Sequence, residues 1–173
     1  LDMNSIEELL YGKRVLITGA GGSIGSELVQ QCLAFGPSEI ICMDYSEEKI
    51  FDIMAIAEMT KSNTIIKPVL GNINQKNQVE KVFNENRPQI VFHAAAYKHV
   101  PIQEIHPWTA VRTNVGGTLG MLELADKYHT EKFVLVSTDK AVNPVNVMGA
   151  TKRLAEILIQ SMNAKSNTEF LAV

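Results

Sequence analysis

Apolar residues in this chain come in short runs, separated by longer stretches where they recur every third or fourth position. Arg14–Thr18, Glu39–Met43, Ile65–Leu70, Gln89–His93 and Lys132–Ser137 are runs rich in aliphatic and β-branched residues. They are nearly continuous rather than alternating, which predicts strands covered on both faces, as in a parallel sheet. Between them, Ile24–Phe35, Glu47–Met59, Gln75–Asn86, Pro107–Tyr128 and Val147–Met162 carry the spacing of amphipathic helices. Glu169–Val173 begins a sixth strand. This alternation predicts a doubly wound α/β fold, a mostly parallel sheet of six strands flanked by helices and joined by right-handed crossovers. Gly36-Pro37, Arg87-Pro88 and Asn143-Pro144 fall between elements, and Pro107 suits a helix start. With no repeat, linker or low-complexity tract, residues 1–173 read as one domain.

Composition narrows the class. The chain is 46% hydrophobic and 20% charged with a net charge of −3, so it is neither a disordered tail nor a membrane bundle. That balance offers no general attraction to nucleic acid or anionic lipid. The opening residues carry Asp2, Glu7 and Glu8 and resemble neither a signal peptide nor a membrane segment. Cys32 and Cys42 sit in apolar stretches far from any CxxC pair and are expected to be buried free thiols in a cytoplasmic protein. His93, His99 and His106 lack metal-ligand spacing, so no metal is expected. Met54, Met59, Met121 and Met162 read as core filler.

The first candidate chemistry is a glycine loop. Gly19, Gly22 and Gly25 form GxxGxxG directly after the first strand, with Ser23 and Ile24 opening the next helix. Glycines there let the backbone turn sharply and approach a pyrophosphate, which the helix N-terminus receives with free N–H groups. Asp44 follows the second strand, nineteen positions beyond Gly25. A carboxylate there accepts hydrogen bonds from ribose hydroxyls and repels a 2′-phosphate, pointing to NAD rather than NADP. Its plainer role is a charge at a helix start, among Tyr45, Ser46, Glu47 and Glu48. No Lys-Ser/Thr pair follows the glycines, so a P-loop is excluded. Ala94, Ala95 and Ala96 after the fourth strand would let a flat group lie close to the backbone. Asn72, Ile73, Lys98, Asn114, Ser137 and Lys152 complete the candidate cofactor set. Beyond the fifth strand lie Thr138, Asp139 and Lys140, then a helix carrying Met148 and Lys152.

Three segments carry a family resemblance: TGAGGSIGSE (18–27), HAAAYKHVP (93–101) and STDKAVNPVNVMGATKR (137–153). The chain resembles the extended short-chain dehydrogenase/reductases, in particular the nucleotide-sugar 4,6-dehydratases of polysaccharide biosynthesis. The resemblance covers Tyr11 to Val173. It implies an NAD-binding Rossmann domain and UDP-N-acetylglucosamine as substrate. It further implies hydride abstraction from C4, loss of water across C5 and C6, and hydride return to C6. Asp139 is then the acid and Lys140 the base. General short-chain dehydrogenases place a Tyr four residues before the catalytic Lys; here the lysine is Lys152 and position 148 is Met. A branch of the dehydratases shares that Met, which leaves open which group deprotonates the C4 hydroxyl. Thr138 or Ser137 could orient that hydroxyl, and Lys152 would hold the nicotinamide ribose.

The resemblance also implies a homodimer or larger homo-oligomer, built through the Pro107–Tyr128 and Val147–Met162 helices. Long family members carry an N-terminal membrane region and a C-terminal substrate-binding region, and neither is expected within these residues. The chain alone is therefore expected to bind NAD but to turn over little UDP-sugar. Plain readings remain for the same residues: an exposed loop pair for Asp139-Lys140, a strand-end cap for Thr138, a solvated helix lysine for Lys152. Alternative functions are a UDP-sugar C4-epimerase and a non-catalytic dinucleotide-binding module.

Overall fold

The computed structural model describes residues 2–60 and 62–173. Six strands, β1 (Arg14–Thr18), β2 (Glu39–Asp44), β3 (Ile65–Leu70), β4 (Ile90–His93), β5 (Lys132–Leu135) and β6 (Glu169–Ala172), form one parallel sheet in the order β3-β2-β1-β4-β5-β6. The doubly wound fold is the one the hydrophobic pattern predicts. Alternate strand residues feed two cores. Leu16, Ile41, Val91, Phe133 and Phe170 pack under α4 (Lys76–Asn86), α7 (Thr118–Lys127) and α8 (Val147–Asn163). Val15, Ile17, Ile40, Cys42 and Ile90 pack under α1 (Met3–Leu10), α2 (Ser23–Leu33) and α3 (Glu47–Met59). Cys32 and Cys42 lie inside this second core, and burial pushes both thiols up to about 12.

Several elements differ from the pattern reading. α1 exists because Asp2 caps it, accepting from the Ser5 N–H and hydroxyl, while Ile6, Leu9 and Leu10 pack inward. A short helix α5 (Val100–Ile105) precedes α6 (Pro107–Ala110), with Pro at the first turn of each. The single long helix expected over Pro107–Tyr128 is interrupted: Val111–Gly117 is π-helical between α6 and α7. β5 ends at Leu135, two residues earlier than expected, although the Ser137 N–H still donates to the Val173 carbonyl and carries the pairing with the end of β6 a little further. The edge strand β3 is not covered on both faces, leaving Ile65 and Leu70 half exposed. Met121 is core filler and Met162 packs against the core, but Met54 and Met59 face outward. No helix among the described residues is long and apolar enough to cross a membrane.

Candidate functional site

Strand register gathers the site. Thr18 of β1 lies level with Met43 of β2 and His93 of β4, so the chain leaves the sheet at Gly19, Asp44 and Ala94 side by side. The strand order reverses between β1 and β4, and neighbouring crossovers part there to leave a crevice. The resulting cleft encloses about 580 Å³.

Gly19 and Gly25 are required sterically, and Gly22 closes the turn between them. Gly19 takes a left-handed φ of 66°, and a Cβ on it would lie 2.7 Å from the Ala95 nitrogen. The glycine loop and the alanine turn therefore touch backbone to backbone. Gly22 donates its N–H to the Gly19 carbonyl at 2.9 Å, closing the turn. A Cβ on Gly25 would collide with that same carbonyl. Past this point the first N–H groups of α2 have no intrahelical partner, and no side chain caps the helix. They open into the cleft as donors for an anion.

Asp44 is buried, and its two oxygens accept from the N–H groups of Gly21 (3.0 Å) and Ser46 (3.1 Å). The carboxylate thus braces the glycine loop and the start of α3 while lining the cleft. Each oxygen keeps lone-pair capacity for a further donor.

The candidates from the glycine loop, from Asp44, Asn72 and Ile73, and from Ala94 to Lys98 all line this cleft. Asn114, Ser137 and Lys152 do not. Asn114 lies buried in the π-helical segment, gripping the Tyr97 N–H (2.8 Å) and carbonyl (2.9 Å) and the Thr151 hydroxyl (3.0 Å). The cleft also uses Tyr45, Ser46, Lys49, Asn74 and Thr113, which pattern reading missed. Tyr45 and Ser46 were accessible as neighbours of Asp44, and Lys49 lies one helical turn on. Thr113 enters through the π-helical segment, which no local signal announces.

Beside the cleft, β5 runs along β4 with Leu135 level with His93. The chain then forms a 3₁₀ turn over Asp139–Ala141, capped by the Thr138 side chain. Thr138 Oγ1 donates to Asp139 Oδ1 at 3.0 Å, and Lys140 Nζ donates to the same oxygen at 3.3 Å. These bonds, Thr138 first, hold the Asp139 carboxyl below the usual carboxylate range. Asp139 is 86% and Lys140 50% exposed at the side chain, so here they form a solvated pair. The turn rests on α8: a Cβ on Gly149 would overlap the Lys140 carbonyl oxygen. Asn146 caps α8 by accepting from the Gly149 N–H at 2.7 Å, and Glu104 of α5 accepts from the Val147 N–H at 2.6 Å. Met148 is buried and contributes no group able to carry a proton.

Lys152 is not a solvated helix lysine. It is buried, and its Nζ donates to the Val136 carbonyl at 2.6 Å. Burial lowers its pKa to about 8, with nearby Glu156 acting in the opposite direction. Glu156 accepts from Ser137 Oγ (2.6 Å) and Arg153 (3.0 Å), which ties the end of β5 to α8. A lysine whose folded pKa lies below its unfolded value carries a penalty that is full below pH 8 and fades towards pH 10.5. Lys152→Met is therefore expected to stabilise the fold at pH 7 by about 2 kcal/mol, the desolvation relief minus one lost hydrogen bond. Urea unfolding from pH 7 to 10.5 checks it: the advantage should shrink across that range, and a flat difference would contradict it.

Among the described residues no three His, Cys, Asp or Glu side chains gather into a metal-binding group. Comparison with known proteins adds a family context. A family model described as polysaccharide biosynthesis protein matches residues 15–173. The capsular polysaccharide biosynthesis protein CapD of Staphylococcus aureus is 47% identical over all of this chain and 29% of its own length. A UDP-N-acetylglucosamine 4,6-dehydratase (inverting) of Campylobacter jejuni is 32% identical over 90% of this chain and 45% of its own. A UDP-glucose 4-epimerase of Rickettsia canadensis is 39% identical over 87% of this chain and 43% of its own. The solved structure of Pen from Bacillus thuringiensis superposes with a TM-score of 0.85 at 34% identity, covering 94% of this chain and 49% of that one. The chain spans half or less of the length of each of these relatives.

Proposed function

This chain belongs to the polysaccharide biosynthesis protein family, and from that premise we propose that it is the dinucleotide-binding and proton-transferring part of a UDP-N-acetylglucosamine 4,6-dehydratase. The observation that carries the reading is a juxtaposition. A glycine-loop cleft at the sheet's switch point stands beside a Thr138–Asp139–Lys140 turn rooted on the neighbouring strand.

A nicotinamide dinucleotide suits the residues present. The first N–H groups of α2 would hold its pyrophosphate, and the free lone pairs of Asp44 would take ribose hydroxyls. The small Ala94–Ala96 side chains would leave room for a planar ring, and the cation of Lys152 would serve the nicotinamide ribose. NAD is the expected form, because a 2′-phosphate would meet the Asp44 carboxylate, while Lys49, a cation lining the cleft, is paired with Asp52 at 3.3 Å. Bound, the dinucleotide supplies reversible hydride acceptance.

The chain's own residues manage the protons. Elimination needs a protonated Asp139 to release the C6 hydroxyl as water, and an unprotonated Lys140 to take the C5 proton. In the solvated pair the proton sits on the other partner. Covering the pair with a sugar removes water from both charges. Desolvation penalises the charged forms, so one proton shifted from Lys140 Nζ to Asp139 sets both groups for the reaction. Thr138, which donates to Asp139 here, would turn its hydroxyl to orient a substrate hydroxyl instead. A second copy of the chain is the expected partner, on an exposed apolar face that includes Ile105, Trp108, Leu154 and Ile157.

Two measurements test the reading. Calorimetric titration should show tighter binding of NAD than of NADP. The whole protein given UDP-N-acetylglucosamine and NAD should release a 4-keto-6-deoxy product. Accumulation of the C4 epimer instead would identify an epimerase, the activity of the Rickettsia canadensis relative. Cofactor binding without any sugar conversion would identify a non-catalytic module.

A further inference from the structure

The wall of the cleft made by residues 94–97 is held at both ends by side chains that none of the chemistry above uses. At its far end, Asn114 grips both backbone groups of Tyr97. At its near end stands His93, the last residue of β4, with no exposed surface. Its Nδ1 lies 2.6 Å from Thr18 Oγ1 and its Nε2 lies 3.0 Å from Thr118 Oγ1. The ring lies against Phe133, with ring centroids 5.7 Å apart and the planes inclined by 45°. Burial, assisted by the Lys152 charge, pushes the His93 pKa down to about 3, so the imidazole is neutral at physiological pH. A neutral imidazole donates through one nitrogen and accepts through the other, which suits a bridge between two hydroxyls.

The partners give the bridge its meaning. Thr18 immediately precedes Gly19, and His93 immediately precedes Ala94, so one side-chain contact joins the roots of both cleft loops. Those loops already meet backbone to backbone between Gly19 and Ala95, with no slack to absorb a change in spacing. Thr118 lies one helical turn beyond Asn114, so both ends of the wall are fastened to the same helical post. A histidine serving only to fill space would need neither hydroxyl, and an apolar ring would pack there as well.

We propose that His93 is a positioning residue for dinucleotide binding: its bridge from Thr18 to Thr118 sets the gap between the glycine loop and the alanine wall. This rests on the reading that the cleft takes a dinucleotide. Hydroxyl and imidazole left unpaired in the core disfavour the closed spacing, and loss of one or two such bonds corresponds to about a tenfold loss of affinity.

The test compares His93→Phe, which keeps the ring and deletes both bonds, with Thr18→Val, which keeps the shape and deletes one. Thr18→Ser restores the hydroxyl, and Val82→Ala in α4 serves as a buried control of similar instability. NAD affinity is measured calorimetrically well below each melting temperature. His93→Phe and Thr18→Val should each bind about tenfold more weakly, their double variant little worse than the weaker single, and Thr18→Ser close to the original. Equal affinity in His93→Phe and Val82→Ala, or additive losses in the double variant, would overturn the proposal. If His93→Phe does not fold, the Thr18 pair decides by the same criterion. Hydrogen exchange without cofactor decides independently of the ligand. Segments 19–25 and 94–97 should exchange faster in Thr18→Val than in Val82→Ala, and equal rates would refute the bridge. An original chain that binds neither NAD nor NADP would overturn the reading of the cleft, while the exchange result still judges His93.

Discussion

Gly25→Ala is expected to weaken dinucleotide binding at least a hundredfold. The added methyl would overlap the Gly19 carbonyl and crowd the Ala20 Cα, which are backbone atoms and not the swinging tips of side chains. Gly19 has little room to retreat, because the Ala94–Ala95 backbone lies so close that even a Cβ on Gly19 would meet the Ala95 nitrogen at 2.7 Å. Either α2 backs away from β1 or the loop opens, and both displace the N–H groups that face the cleft. Forcing a methyl into packed backbone costs about 1–3 kcal/mol of stability. The loss of affinity should exceed the loss of fold, since the N–H groups proposed to hold the pyrophosphate are what move. Gly120→Ala is the matched control: its Cβ would meet nothing within 4 Å, and it sits in α7 where alanine favours the helix. Titration of both variants with NAD should separate them clearly. Undiminished binding by Gly25→Ala would show that the loop does not hold the ligand.

The contrast between those two glycines shows what a sequence can reveal about this site and what it cannot. Gly19, Gly22 and Gly25 are legible because their spacing, the strand before and the helix after form one local motif. Asp44 is legible for the same reason, lying at a strand end a fixed distance further on. The sheet itself follows from apolar runs whose alternate residues fill two cores, Leu16 on one face and Val15 and Ile17 on the other. What escapes is non-local. The π-helical turn at Val111–Gly117 has no periodicity of its own, yet it places Thr113 at the cleft and Asn114 on the Tyr97 backbone. Lys152 reads as a polar residue on a helix, and only the packing of α8 against the end of β5 buries it. The start of α1 hinges on one cap, Asp2, at a chain end where apolar periodicity is too short to register. The exposure of Asp139 and Lys140 is also a tertiary fact, since a strand end and an adjacent acid–base pair look alike in sequence whether covered or open.

That exposed pair carries the second large effect. In the whole protein, Lys140→Ala should lower the rate of 6-deoxy product formation by about two to four orders of magnitude, the range that a positioned acid or base contributes. The variant should still permit slow oxidation at C4, the step that precedes removal of the C5 proton by Lys140. The expected trace is a slow rise of NADH absorbance, or a 4-keto sugar that retains its C6 hydroxyl. Asp139→Asn should stall at the same stage, since an amide cannot release the C6 hydroxyl as water. Neither substitution should disturb the fold measurably, because an exposed ion pair of this kind contributes little to stability. Unchanged NAD affinity in both variants would place the defect in proton transfer and not in binding. A C4-epimerase has no C5–C6 elimination to lose, so it would convert UDP-N-acetylglucosamine to its epimer at nearly the original rate in both. Normal 6-deoxy product from either variant would remove Asp139 and Lys140 from the chemistry and send the search for acid and base elsewhere.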